Sequence, residues 1–235
     1  GGDIDITGAF TITAWFNADT VSGDSLRSIA CQGNSFFGLQ GEYPLYQAQG
    51  TGANNVEGQT ALVAGRWYHI ALTVAGTSAG DAKIYVNGVS DGDDADTAFM
   101  AAGDFVIGKM PTSDDRYMDG KIANVQIWDA VWSADDVAYA YNNPEQLALN
   151  RGGTSLTSSN LKAWYPMQDG HRGQQSFVLD GANTGLGTSI ITGNNQLTGA
   201  TSSDFEDIDP LSTNSKHDRI TVSYNDTTVF SQGAL

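Results

Sequence analysis

The sequence predicts an all-β protein: an antiparallel β-sandwich with one short helix and a loop-rich C-terminal extension. Three observations predict it. Apolar residues alternate with period two through several short runs, each run is bounded by Gly, Asp, Ser, Asn or Pro, and helical spacing is confined to one segment. The 235 residues are 40% hydrophobic, enough for a substantial core, and one large β domain plus an extension suits that length.

The first strand is read at Phe10 to Phe16, where Phe10, Ile12, Ala14 and Phe16 share one face and Thr11, Thr13 and Trp15 the other. Trp67 to Val74 repeats the pattern with Tyr68, Ile70, Leu72 and Val74 against His69, Ala71 and Thr73. Lys83 to Asn87 follows, and Asn87-Gly88 is a tight-turn dipeptide because both residues tolerate positive φ, so Val89 restarts the chain antiparallel as a hairpin. Further strands are expected at Leu26 to Cys31, Phe36 to Gln40, Phe105 to Lys109 and Lys121 to Asp129. The helix is expected after Ser133 as N-cap, with Asp135 and Asp136 in its first turn and Pro144 as its stop. Residues 1–150 are taken as the sandwich. Residues 151–235, rich in Gly, Ser, Thr and Asn, are taken as an extension that packs back on it through strands at Leu161 to Met167 and Ile220 to Tyr224.

Eleven basic residues against 27 acidic ones give a formal charge of −16, a field that repels phosphate backbones and anionic bilayers and argues against nucleic acid as a partner. Cys31 is the one cysteine, which excludes an intrachain disulfide, and Ile29 and Ala30 beside it suggest a core thiol. No apolar run approaches the roughly 20 residues that cross a bilayer, so no membrane insertion is expected.

Taken together, Phe10-Thr-Ile-Thr-Ala-Trp-Phe16, Gly65-Arg-Trp-Tyr-His-Ile-Ala-Leu72, Lys83-Ile-Tyr-Val-Asn-Gly88, Phe105-Val-Ile-Gly108 and Gly120-Lys-Ile-Ala-Asn-Val-Gln-Ile-Trp-Asp129 resemble laminin-G-like jelly rolls of the concanavalin A-like lectin/glucanase type. The match runs in order from about Gly2 to Asn142. Leu161-Lys-Ala-Trp-Tyr-Pro-Met-Gln-Asp-Gly170 further resembles structural proteins of marine bacteriophages. The resemblance implies a jelly-roll sandwich and a family that includes carbohydrate binders, adhesion modules and structural proteins, many of them calcium-dependent. Relatives usually begin with a strand like Leu161 to Asp169, which is absent at the N-terminus here; the late segment is expected either to fill that slot or to begin a second copy. Relatives also carry metal-binding acids where Ala123-Asn124 stands, so a calcium site there lacks charge.

For carbohydrate binding, Tyr43, Tyr46, Arg116 and Tyr117 combine aromatic faces for stacking on a pyranose with a guanidinium for its hydroxyls, all in expected loops. For calcium, Asp91, Asp93 and Asp94 in the acidic stretch after the hairpin, with Asp119 from a second acidic stretch, supply oxygen ligands. Trp15, Trp67, Trp128 and Trp164 lie in strands and are read as packing residues. No catalytic residues are assigned: Asp3 and Asp5 alternate as in some glycosidases but lack the third carboxylate at Thr7, and His69, His171 and His217 have no nucleophile motif beside them. The leading expectation is a non-catalytic virion module on a capsid, tail or fibre, binding neighbouring subunits and host glycans at a virion surface or extracellularly. A secreted bacterial carbohydrate-binding or adhesion module is the alternative, and a glycoside hydrolase the third.

Overall fold

The computed structural model describes residues 4–50, 55–93, 97–112, 115–144 and 146–167. Among them lie the strands β1 (Phe10–Ala18), β2 (Leu26–Gln32), β3 (Ser35–Gln40), β4 (Tyr43–Gln47), β5 (Asn55–Glu57), β6 (Trp67–Val74), β7 (Ala82–Val86), β8 (Val89–Asp93), β9 (Phe105–Ile107), β10 (Gly120–Trp128) and β11 (Leu161–Tyr165), with one α-helix, α1 (Ala134–Asn142). They form two sheets, one of six strands in the order β11-β10-β1-β6-β7-β8 and one of five in the order β5-β4-β3-β2-β9. The chain divides into units Gly1–Trp164 and Tyr165–Leu235, and both sheets belong essentially to the first. The expected strand at Ile220 to Tyr224 lies outside the described residues.

The sandwich closes as the alternation requires. Phe10, Ile12, Ala14 and Phe16 of β1 stand in register with Val74, Leu72, Ile70 and Tyr68 of β6. Val125 and Ile127 extend the same apolar layer across β10, and nearly all of these side chains are sealed from solvent. Ala30, Phe37 and Tyr46, opposite one another on β2, β3 and β4, supply the facing layer. The edge of Phe10 meets the Tyr46 ring at 6.2 Å and 72°, joining the two sheets. At the β7–β8 hairpin Asn87 and Gly88 have φ of 50° and 82°, the paired left-handed conformation that the dipeptide predicts.

A third layer, which alternation does not reveal, covers the outer face of the six-stranded sheet. Trp128, Ala71 and Tyr85 on that face pack with Trp132, Val137, Ala140, Ala148 and Leu156 from α1 and the chain around it. Ser133 caps α1 in a reciprocal box with Asp136. Thr11 Oγ1 donates to the Ala130 carbonyl at 2.8 Å and accepts from the Trp132 amide at 2.9 Å, tying the approach to the helix onto β1.

Leu161 to Tyr165 pairs beside β10 at the edge of the six-stranded sheet. Asn124 locks it there. The register of β10 against β1 shifts between Thr13 and Trp15, and Asn124 lies in this bulge at φ 48°. Its carboxamide accepts from Trp164 Nε1 at 2.7 Å and from Gln126 Nε2 at 3.3 Å, and donates to the Pro144 carbonyl at 2.6 Å. Asn124 therefore serves to hold β11 on the sheet. Asn124→Ala removes these bonds and places a Cβ-bearing residue without a compensating amide in the left-handed region. It should destabilise the fold by about 2 kcal/mol, with Asn124→Gly less damaging, in thermal unfolding followed by tryptophan fluorescence.

Candidate functional site

Sugar-binding surfaces need exposed aromatic faces beside hydrogen-bonding groups, and the residues expected to supply them fall on and beside the five-stranded sheet. Alternation along β4 puts Tyr43, Leu45 and Gln47 on the face turned away from the core residue Tyr46. Leu26, Gln40 and Tyr43 stand in one register row across β2, β3 and β4. Cys31, Phe36, Leu45 and Met110 form a small apolar cluster on this outer face, with Leu26 at its margin. Burial pushes the Cys31 thiol up, against the opposing effects of Ser28, the Phe37 backbone and the nearby Arg116 cation. It is therefore a packed, protonated thiol.

The chain after β9 continues the sheet edge. Gly108 N donates to the Ile29 carbonyl at 3.0 Å, Met118 N to the Gly108 carbonyl at 2.9 Å, and Ser28 N to the Arg116 carbonyl at 2.9 Å. Arg116, at φ 59°, thus takes the place of β9 beside Ser28. The Arg116 side chain is one-third exposed and lies 3.7 Å from Asp115. Tyr117 is 51% exposed and Tyr43 43% exposed. Lys109 Nζ stands 5.8 Å from the centre of the Tyr117 ring, a cation–π distance that orients it. Tyr43 thus stands on β4, while the segment carrying Arg116 and Tyr117 borders β2 in the place of β9, three strand spacings or about 14 Å from β4.

Tyr46 does not belong with them. It is fully buried in β4, against Phe10, and its hydroxyl donates to the Ala98 carbonyl at 2.8 Å. The loop expected there is a strand, because Gly41-Glu42 and Pro44 read as breakers while Pro44 occupies a position where the ladder tolerates it. The alternation of exposed Tyr43 with buried Tyr46 was the available signal.

The residues of the expected calcium set do not come together. Asp91 and Asp93 lie in β8, not in an open loop, and Asp91 falls at the shift of register between β7 and β8. Its carboxylate accepts from the amides of Gln59 at 3.0 Å and Thr60 at 3.2 Å and from the Thr60 hydroxyl, so it fastens the chain after β5. Asp119 accepts from Thr20 Oγ1 at 3.1 Å at the head of β10. Four strand spacings, about 19 Å, separate β10 from β8, too far for one ion. Asp94 lies outside the described residues. Among the described residues no three His, Cys, Asp or Glu side chains are grouped to hold a metal.

Trp67 departs from the expectation of plain packing. Trp67 is 44% exposed at the start of β6. His69 is sealed in the sheet at 2% exposure, and burial pulls its pKa down to about 3. Asp3, His171 and His217 lie outside the described residues; Asp5 accepts from Gln32 Nε2 at 3.2 Å.

Residues 2–138 match a laminin G-type family model described as the concanavalin A-like lectin/glucanases superfamily. No curated protein matches the sequence. Among solved structures, a Bacteroides ovatus protein provisionally described as carbohydrate binding is 21% identical, aligns with a TM-score of 0.53, and shares 74% of this chain with 50% of its own. A heptameric SAP-like pentraxin from Limulus polyphemus is 14% identical with a TM-score of 0.47, over 59% of this chain and 72% of its own. Domain 4 of AbnA, a GH43 extracellular arabinanase from Geobacillus stearothermophilus solved with arabinotriose, is 16% identical with a TM-score of 0.43, over 57% and 67%. The chain spans half the length of the Bacteroides protein, and that likeness is one of fold.

Proposed function

The chain belongs to the concanavalin A-like lectin/glucanases superfamily, and from that premise we propose that it is a non-catalytic saccharide-binding module whose ligand lies across Tyr43, Arg116 and Tyr117. The observation that carries this reading is the exposure of two tyrosines, Tyr43 on the five-stranded sheet and Tyr117 next to Arg116 in the segment that borders it. A ring stacks on the C–H face of a pyranose, and the guanidinium donates to its hydroxyls. The carbohydrate-binding description of the Bacteroides relative supports the same reading.

Asp136, the one buried carboxylate among the described residues, is held by Ser133 and Arg151 at the start of α1. Asp136 is thus engaged in the helix layer rather than at this surface. We place the module at a virion surface or in another extracellular assembly, with neighbouring subunits as protein partners; the support is the resemblance of Leu161 to Gly170 to marine bacteriophage structural proteins.

The test is a glycan array probed with the full chain, followed by titration of the best saccharide. Tyr43→Ala and Tyr117→Ala should each weaken binding about tenfold, as expected for loss of about 1.4 kcal/mol of stacking. An array that retains no saccharide, or a double variant that binds like the wild type, refutes the proposal. Repeating the titration in EDTA tests calcium separately: with Asp91 engaged by Gln59 and Thr60, binding is expected to persist.

A further inference from the structure

On the outer face of the six-stranded sheet, α1 and its flanking chain cover Ala71, Tyr85 and Trp128. Toward the other end of β1 and β6 the register brings Trp15 opposite His69 and Asn17 opposite Trp67. Alternation puts all four on this face, since Ala14, Phe16, Tyr68 and Ile70 point toward the core. The Trp67 indole is 44% exposed, whereas Asn17 is only 9% exposed. Tyr141, near the end of α1, stacks on Trp15 at 5.7 Å and 19° and lies 6.2 Å from the His69 ring.

Two polar atoms of this patch are buried without a hydrogen bond, Trp15 Nε1 and His69 Nδ1. A buried donor or acceptor left unmade costs about 1–3 kcal/mol, so two of them in adjacent positions, near the Asn17 carboxamide and an exposed indole, point to a ligand that completes them. That ligand must offer groups that both donate and accept, because the indole only donates, the amide does both, and the neutral imidazole does either. It must also offer an apolar face to Trp67. It gains little from Lys121, which stands opposite Asn17 in register but lies 3.9 Å from Asp19.

We infer that Trp67, Asn17, Trp15 and His69 form a second saccharide site, which seats one pyranose ring of an uncharged oligosaccharide on Trp67 with its hydroxyls bonded to Asn17. Trp15 Nε1 and His69 Nδ1 lie beneath Tyr141, which turns aside from its stack on Trp15 to admit the ring's far hydroxyls. The site shares its ligand class with the reading above but stands on other residues, on the opposite side of the sandwich, and would make the module bivalent.

The experiment follows the indole N–H resonances of the full ¹⁵N-labelled chain during separate titrations with cellohexaose, laminarihexaose and maltohexaose. The Trp15 and Trp67 signals should shift saturably with at least one of them. Trp67→Ala, a change at an exposed position that leaves the core intact, should weaken that binding at least tenfold, Asn17→Ala should weaken it severalfold, and Tyr117→Ala should leave it unchanged. Trp67→Phe, which keeps an aromatic face, should retain most of it. No shift of the Trp15 and Trp67 signals with any of the three sugars overturns the inference, as does a shift that Trp67→Ala leaves unaltered. Binding abolished by Tyr117→Ala but not by Trp67→Ala also overturns it while leaving the first site standing; the reverse pattern upholds this site and removes the first.

Discussion

Lowering the pH from 7 to 5 removes about 2 kcal/mol of folding stability through His69 alone, at about 1.4 kcal/mol for each pH unit below the ordinary histidine pKa. His69 sits opposite Trp15 in the sheet and under Tyr141, at 2% exposure, and burial drives its pKa to about 3. The folded protein therefore holds the neutral ring across a range in which the unfolded chain takes up a proton. A depressed histidine pKa means that the unfolded state binds more protons between about 6.5 and about 3, so stability falls as the pH drops through that window and is intact above it. Urea unfolding at pH 7, 6 and 5 checks this, compared with His69→Gln, which keeps a polar side chain of similar size but does not titrate. The wild type should lose stability about 2 kcal/mol faster than the variant over those two units. Parallel losses in both proteins would show that His69 is not the responsible group.

Removing the carboxylate of Asp136 is expected to cost about 3 kcal/mol. Asp136 Oδ2 accepts from Ser133 N at 3.0 Å and Ser133 Oγ at 2.6 Å, and Oδ1 accepts from Arg151 Nε at 2.7 Å. It therefore caps α1 and at the same time ties the chain beyond the helix to its first turn, above the Trp128 and Trp132 pair that meets edge to face at 5.4 Å. Burial alone would raise its pKa, but the bonds from Ser133, Arg151 and Thr154 outweigh burial and lower it. The contribution is thus present above the ordinary carboxylate pKa and is lost as the pH falls through the lowered one. Asp136→Ala should lower the denaturation midpoint, and Asp136→Asn, which keeps the cap but not the charge, should lower it less. If Asp136→Ala unfolds at the same denaturant concentration as the wild type, the helix layer does not depend on this anchor.

The same contrast between local and tertiary control runs through the fold. The alternation at Phe10 to Phe16 and Trp67 to Val74, the Asn87-Gly88 turn and the Ser133 cap are written in residues close together in sequence, and each forms where it was predicted. Those signals were enough to determine a two-sheet sandwich, its hairpin and its one helix, because strand pleat, turn φ and capping all depend on neighbours a few positions apart. They could not determine which side of a strand would be covered. Tyr46 and Tyr43 sit in one five-residue strand, yet one is core and the other surface. Trp67 and Trp128 are both strand tryptophans, yet α1 covers Trp128 and leaves Trp67 open. Nor could they show that Asp91 serves Gln59 and Thr60, or that Asn124 reaches forty residues on to Trp164. Local sequence determined that these segments are extended; whether each side chain meets water, a partner sheet or a helix was decided by packing between segments far apart in the chain, and the candidate binding surfaces are what that packing left uncovered.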